Sequence, residues 1–554
     1  MPIAYSRAIC SLSMKVSGNI VDVLRKKIFS GTIEIQNGRI IEISENKRFY
    51  DRFIIPGFVD SHVHIESSML VPSEFSRIAV IHGTVATVSD PHEISNVLGI
   101  SGVRFMIRNG QQVPFKFSFG APSCVPASPF ETSGALIGPG EVDSLLAHEE
   151  IGFLGEVMNV PGVLTNNPDV LKKIESAVRF GKPIDGHAPG LQGNKLVKYI
   201  SAGISTDHET LSNEEGRKKL SLGMKLLIRE GSAAGNMDIL LPLMNEYPDL
   251  CMFCSDDKHP NDLITGHINI MVKKAIKNGI DVFTTLQCAC INPVSHYGLP
   301  VGLLREGDSE DFIIIDNLKD FTIHETYING VLVAQEGKTL INHITEEPVN
   351  NFSTRTKSIS DFAVQSGGDK IKVILAIDGS LTTETSTIHP KIDKGYAVSD
   401  ITKDILKIAV VNRYADAPPA IGFAKNFGLK KGALASSVAH DSHNIVAVGV
   451  DDESLCRAVN LIIRHHGGIA LTDGGDEKIL PLPVAGIMSN ADGWEVASRY
   501  KDLDQLAKDL GSPLRSPFMI LSFITLPVIP KLKLTDKGLF DGECYTFTSL
   551  FDSL

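Results

Sequence analysis

No run of the sequence is apolar for long enough to span a bilayer, so a membrane is not an expected partner. Basic residues are not in excess: 53 Lys and Arg stand against 65 Asp and Glu, a formal charge of −12. No basic patch stands out to neutralise phosphates, and nucleic acid is not expected as a partner either. Cysteine is sparse, eight residues scattered over 554, which fits free thiols in a reducing cytoplasm better than a disulfide framework. Cys251 and Cys254 form a C-x-x-C and Cys288 and Cys290 a C-x-C. The first pair lies inside an apolar, strand-like run, where cysteine serves as a small buried hydrophobe. Residues 1–20 lack a long apolar stretch before a small-residue cleavage site, so secretion is not expected and the cytoplasm is. The paired signature H-x-E with P-C-x-x-C is also missing, which sets aside cytidine-type zinc deaminases.

What remains has the composition of a globular protein, 43% hydrophobic and 21% charged, on a chain too long for one core. Residues 18–50 alternate apolar and polar around Asn37-Gly38, the pattern of a hairpin with a type I′ turn. The pattern returns in Asp311–Asp316 and Tyr327–Val333. A small composite β-sandwich domain from residues 1–52 plus 300–350 is therefore expected. Between these flanks, apolar runs at 53–59, 84–89, 116–125, 151–157, 182–186, 203–206, 223–228 and 251–255 alternate with helix-like stretches. Eight such runs predict an α/β fold, a TIM-like (β/α)₈ barrel over 53–299. Residues 351–554 begin as a polar, proline-containing connection and continue as strands and helices, a C-terminal α/β domain.

Functional groups of such a barrel sit at the C-terminal strand ends. The first run leads into Asp60-Ser61-His62-Val63-His64, and residues i and i+2 of a strand face the same side. The fourth run ends in Glu156, the fifth in Asp185-Gly186-His187 and the sixth in Thr206-Asp207-His208. The seventh ends in Arg229-Glu230 and the eighth in Ser255-Asp256-Asp257. Four imidazoles and two carboxylates suffice for two divalent metal ions, with one carboxylate bridging. Nitrogen and oxygen ligands suit zinc, manganese or ferrous iron, and spacing does not choose among them. Taken singly, His187 or His208 also reads as a hydrogen-bonded barrel histidine, and Glu156 as an ion-pair partner of Arg229.

This order of ligands resembles the amidohydrolase superfamily and, within it, the bacterial-type adenine deaminases. The resemblance covers nearly the whole chain. It runs through Pro56–Met69, Asp90-Pro91-His92-Glu93-Ile94, Asp185–Gly190, Ile228–Ala234, Cys254–Asp257, His440–Asn444 and Leu482–Ser489. It implies that His62, His64 and Asp256 hold one metal, that His187 and His208 hold the other, and that Glu156 bridges them in place of a carbamoylated lysine. Asp257 stands as the alternative to Asp256. Manganese or ferrous iron is the implied metal. The implied reaction is hydrolytic deamination of adenine to hypoxanthine and ammonia, with Asp256 moving the proton. Glu66, His92 and Glu93 are candidates for protonating a ring nitrogen and reading the purine edge. Asp90, Arg229, His440 and His443 are candidates for substrate binding, although Arg229 reads equally as half of a barrel ion pair. The Ala439–Asn444 run has three readings: a second metal site, a capping loop, or a lid over the barrel mouth. A homo-oligomer, a dimer, is expected. Within enzymes the rival is another amidohydrolase acting on a cyclic amide or related amino-heterocycle; outside them it is a catalytically silent barrel.

Overall fold

The computed structural model describes residues 13–232 and 234–552. Residues 1–12, with which the expected composite domain begins, lie outside the described residues, as does Ala233 of the Ile228–Ala234 run.

Eight parallel strands build the barrel. Phe58–Val63, Thr84–Ser89, Lys116–Ala121, Ile151–Val157 and Ile184–Gly186 form one sheet, and Thr206–Asp207, Lys225–Arg229 and Cys251–Cys254 another. A parallel bridge between Val63 and Asp256 closes the eighth strand on the first. The Thr206 hydroxyl ties the sixth strand to the fifth, accepting from Gly186 N at 3.3 Å and donating to Asp185 at 2.8 Å. Strands covered on both faces read as continuous apolar runs, and the first, second and eighth are buried at every position. Cys251 and Cys254 are two of those buried positions.

One strand differs from expectation. The run at 53–59 divides at Gly57, where a Cβ would lie 2.3 Å from Val85 Cγ1. Phe53–Pro56 leaves the barrel and pairs in parallel with Ser13–Asp22 and antiparallel with Phe312–Ile315. It therefore sits at the centre of an eight-stranded sheet whose other strands come from both flanks of the barrel. The hairpin turn falls where expected: Gln36 pairs with Arg39, with φ of 53° at Asn37 and 73° at Gly38. Two consecutive positive φ angles define a type I′ turn and favour Asn-Gly.

The C-terminal part is a second eight-stranded sheet, in the order 383–388, 371–376, 420–425, 405–411, 445–449, 433–436, 468–473 and 476–481. Alternation along Ile405–Val411 gives it two buried faces. Ala409 and Val411 join Ala433, Ala447 and Ala470 under helix Asp452–Arg464, whose N-cap Asp451 accepts from Ser454 N at 2.7 Å. Leu406, Ile408 and Val410 face the other way, into a core shared with the barrel. That shared core fixes the sheet over the barrel mouth. Among the described residues no helix is long and apolar enough to cross a membrane.

Candidate active site

Glu156, on the fourth strand, is the centre of the cluster. Its Oε2 lies 3.1 Å from both His187 Nδ1 and His208 Nε2, and its Oε1 lies 3.7 Å from His64 Nε2. His62 and His64 bring their Nε2 atoms to 3.2 Å of each other. Asp256 Oδ1 is 3.6 Å from the first and 3.3 Å from the second. The donor atoms of His62, His64 and Glu156, of His62, His208 and Asp256, and of Glu156, His187 and His208 each fall within 4.8 Å of one another. All six residues thus converge, five of them buried and His187 half-buried.

The chemistry of this donor set fits divalent cations. His64 Nδ1 donates to the Asp90 carbonyl at 3.0 Å, which fixes the tautomer and leaves the Nε2 lone pair facing the cluster. Two imidazole nitrogens 3.2 Å apart cannot both carry protons towards each other. Burial raises the pKa of Glu156, but His187 and His208 outweigh it and hold the carboxyl well below its usual range. Asp256 sits at φ 53°, a left-handed conformation uncommon for a residue with a side chain and frequent at functional sites. Of the two adjacent aspartates, Asp256 faces the histidines, while Asp257 accepts the Ser67 hydroxyl at 2.5 Å.

Asp90 and Arg229 stand behind this cluster. Asp90 Oδ2 accepts the Glu156 backbone N–H at 2.8 Å, so the carboxylate positions a cluster residue and does not line the cavity above it. Arg229 donates to Asp256 Oδ2 at 2.5 Å and to Glu209 at 3.2 Å through Nη2. Its ion pairs are with these two carboxylates, and Glu156 is not among them. Glu66 accepts from Ile94 N at 3.1 Å and also lies off the cavity wall. Burial lifts its pKa to about 7.

His92 and Glu93 do line the chamber, a cavity of about 30 Å³ over the cluster. His92 lies 3.5 Å from Asp90, 3.7 Å from Glu156 and 3.4 Å from Glu93. Glu93 accepts from His440 Nδ1 with one oxygen and from His443 Nε2 with the other, so the C-terminal domain is bonded directly to the barrel mouth. His440, Asp441, Leu381, Phe523, Leu526 and Ile529 complete the wall from that domain. Sequence reasoning missed Glu209 and these apolar residues, and singled out Asp441 only as part of the Ala439–Asn444 run. Glu209 carried a signal, as a carboxylate directly after a strand-end histidine; the apolar residues carried none.

Residues 53–333 match the amidohydrolase family model, and residues 380–545 match the adenine deaminase C-terminal domain. The barrel with its strand-end donors is thus that of an amidohydrolase. Relatives named adenine deaminase come from Salinibacter ruber (52% identical over 541 residues, 97% of this chain and 99% of the relative) and from a Sulfurovum species (53% over 535 residues, 96% and 99%). Another, from Borreliella burgdorferi, is 50% identical over 541 residues, 96% and 99% of the two chains. Identity of that order along nearly the full length of both chains places this protein in the adenine deaminase family.

Proposed function

We propose that this chain deaminates adenine hydrolytically, releasing hypoxanthine and ammonia. The observation that carries the reading is the convergence of six metal-type donors in a buried chamber, on a chain whose barrel and C-terminal domain both match the family. His62, His64 and Asp256 would hold one divalent cation and His187 and His208 a second, with Glu156 between them; manganese or ferrous iron is favoured, and zinc is compatible with the donors. When bound, such a pair supplies a hydrolytic nucleophile at neutral pH by lowering the pKa of water to about 7.

The remaining steps belong to side chains. Asp256 Oδ1 takes the proton released as water adds to C6 of adenine, and passes it to the amine that departs as ammonia. Arg229 keeps the other oxygen of Asp256 occupied, which directs proton transfer to Oδ1. Burial opposes charge on His92, but Asp90 and Glu93 raise its pKa well above the usual imidazole value. His92, which lines the chamber between Asp90 and Glu93, is the acid that protonates the ring nitrogen, and it regains a proton from the C6 hydroxyl as the carbonyl forms and ammonia leaves. Glu93, held as an anion between His440 and His443, accepts a hydrogen bond from the purine edge. The scattered cysteines support a cytoplasmic setting, and the dimer rests on the family resemblance alone.

The test is to strip the protein of metal, reload it with manganese or ferrous iron, and follow adenine by chromatography. Conversion to hypoxanthine is expected. Adenine left intact by a preparation that hydrolyses a cyclic amide would contradict the reading.

A further inference from the structure

The barrel has a seam between the strands that carry His187 and His208. The fifth and sixth strands belong to separate sheets, and among the described residues no backbone ladder joins them. One backbone bond, from Ser205 N to Ile184 O at 2.9 Å, stands at the base of the seam. Beyond it the His187 N–H turns to the Tyr199 hydroxyl at 3.1 Å. Strand pairing therefore does not set the spacing of the two histidines.

Lys219 spans that seam. It lies on the helix Asn213–Ser221 and is fully buried. Its Nζ donates to Ala188 O at 2.8 Å, next to His187, and to Asp207 Oδ2 at 2.9 Å, next to His208. Asp207 closes the ring by accepting the Ala188 N–H on Oδ1 at 2.7 Å. Glu215 Oε1 accepts from Lys219 at 2.6 Å and from Gly190 N at 2.8 Å, and its Oε2 accepts from Leu211 N at 3.1 Å. Both loops that follow the histidines are thus fastened to one cluster. Burial opposes the charge on Lys219, but Asp207 and Glu215 raise its pKa above the usual lysine value. A buried ionic cluster of this kind adds little stability over packed apolar groups, and its best-attested use is to fix register.

We propose that Lys219 is a positioning residue that sets the register of His187 against His208, so that both imidazoles reach one divalent cation. The inference rests on the two-cation reading of the donor set. Lys219 bonds to neither histidine and acts through Ala188 and Asp207. The other half of the set has a different support: Asp256 N donates to His62 O at 3.0 Å, and His64 N to Asp256 O at 3.4 Å. Backbone bonds fix His62, His64 and Asp256, so their cation does not depend on Lys219. Charge and register also pull in opposite directions. Removing the ammonium leaves uncompensated negative charge beside His187 and His208, which by Coulomb attraction alone would tighten cation binding.

The test is calorimetric titration of the metal-stripped full chain with manganese. Lys219→Met keeps the buried length and removes the donors. Its affinity for one cation is expected to fall about 10–100-fold, with the other held within about threefold. Glu215→Gln leaves Lys219 and Asp207 paired and is expected to weaken the same cation several-fold. In a His187→Ala background, which already lacks that cation, adding Lys219→Met should leave the remaining affinity unchanged. A general structural role would weaken it further. Unchanged or tighter binding in Lys219→Met, equal loss of both cations, or further loss in the double variant would overturn the proposal. Where Lys219→Met does not fold, Glu215→Gln decides, and unchanged affinity there overturns it. No adenine enters the titration. A wild-type chain that binds two cations and leaves adenine intact ends the substrate reading alone; one that binds fewer than two ends the two-cation reading and this inference with it.

Discussion

Arg229 donates to Oδ2 of Asp256 at 2.5 Å, so only Oδ1 of that carboxylate faces His62 and His64. The same guanidinium holds Glu209, and Arg229→Met would leave two buried carboxylates without their shared cation. Breaking a buried pair from one side costs about 3–5 kcal/mol. Urea unfolding of the metal-loaded variant is expected to show a loss of that order, together with a fall in kcat of about a hundredfold. Wild-type stability would mean that Arg229 is dispensable to the site.

Asp256→Asn removes the proton carrier and keeps its shape. A decrease in kcat of roughly 10²–10⁴-fold is expected. Affinity for hypoxanthine, measured by calorimetry, should stay within a few-fold of wild type. Retained turnover would remove Asp256 from the proton path.

The two halves of the donor set should separate in metal content. His62→Ala and His187→Ala are each expected to lower the bound divalent cation, read by elemental analysis, by about one equivalent per chain. Chelation of the wild-type protein is expected to lower Tm as well as activity, because a cation bound only by the folded state stabilises it by mass action. A Tm unmoved by chelation would argue that the donors are not metal ligands.

The bond between the domains should depend on pH in a defined direction. Burial opposes the charge on His440, but Glu93 and Asp257 raise its pKa to about 9. Its contribution is therefore fully present below the unfolded histidine value of about 6.5 and is lost as pH rises through 9. Burial raises the pKa of Glu93, but His440, His443 and His92 carry it well below the ordinary value. Its contribution is present above about 4.3 and is lost on acidification below that. The clamp is strongest between those limits. Glu93→Gln should flatten the dependence of Tm on pH above 6.5; an unchanged slope would count against the clamp.

The barrel was legible because parallel strands buried on both faces leave apolar runs ending in polar, chemistry-bearing residues. That is how His62, Glu156, His187, His208 and Asp256 could be found one strand at a time. Phe53–Pro56 was misplaced for the same reason: one apolar run passes through Gly57 from one sheet to the next, with nothing in the pattern to mark the change. Contacts made only by folding were not legible in residue detail. Glu93 meets His440 and His443 across 347 and 350 positions of chain.

The most direct test of the central claim is turnover of adenine by the metal-loaded protein in water enriched in heavy oxygen. One labelled oxygen in each hypoxanthine, with ammonia released in equal amount, is the predicted result. Hypoxanthine without label, or adenine consumed without ammonia, would contradict hydrolytic attack at C6 and the role given to the His62–His64–Glu156–His187–His208–Asp256 cluster.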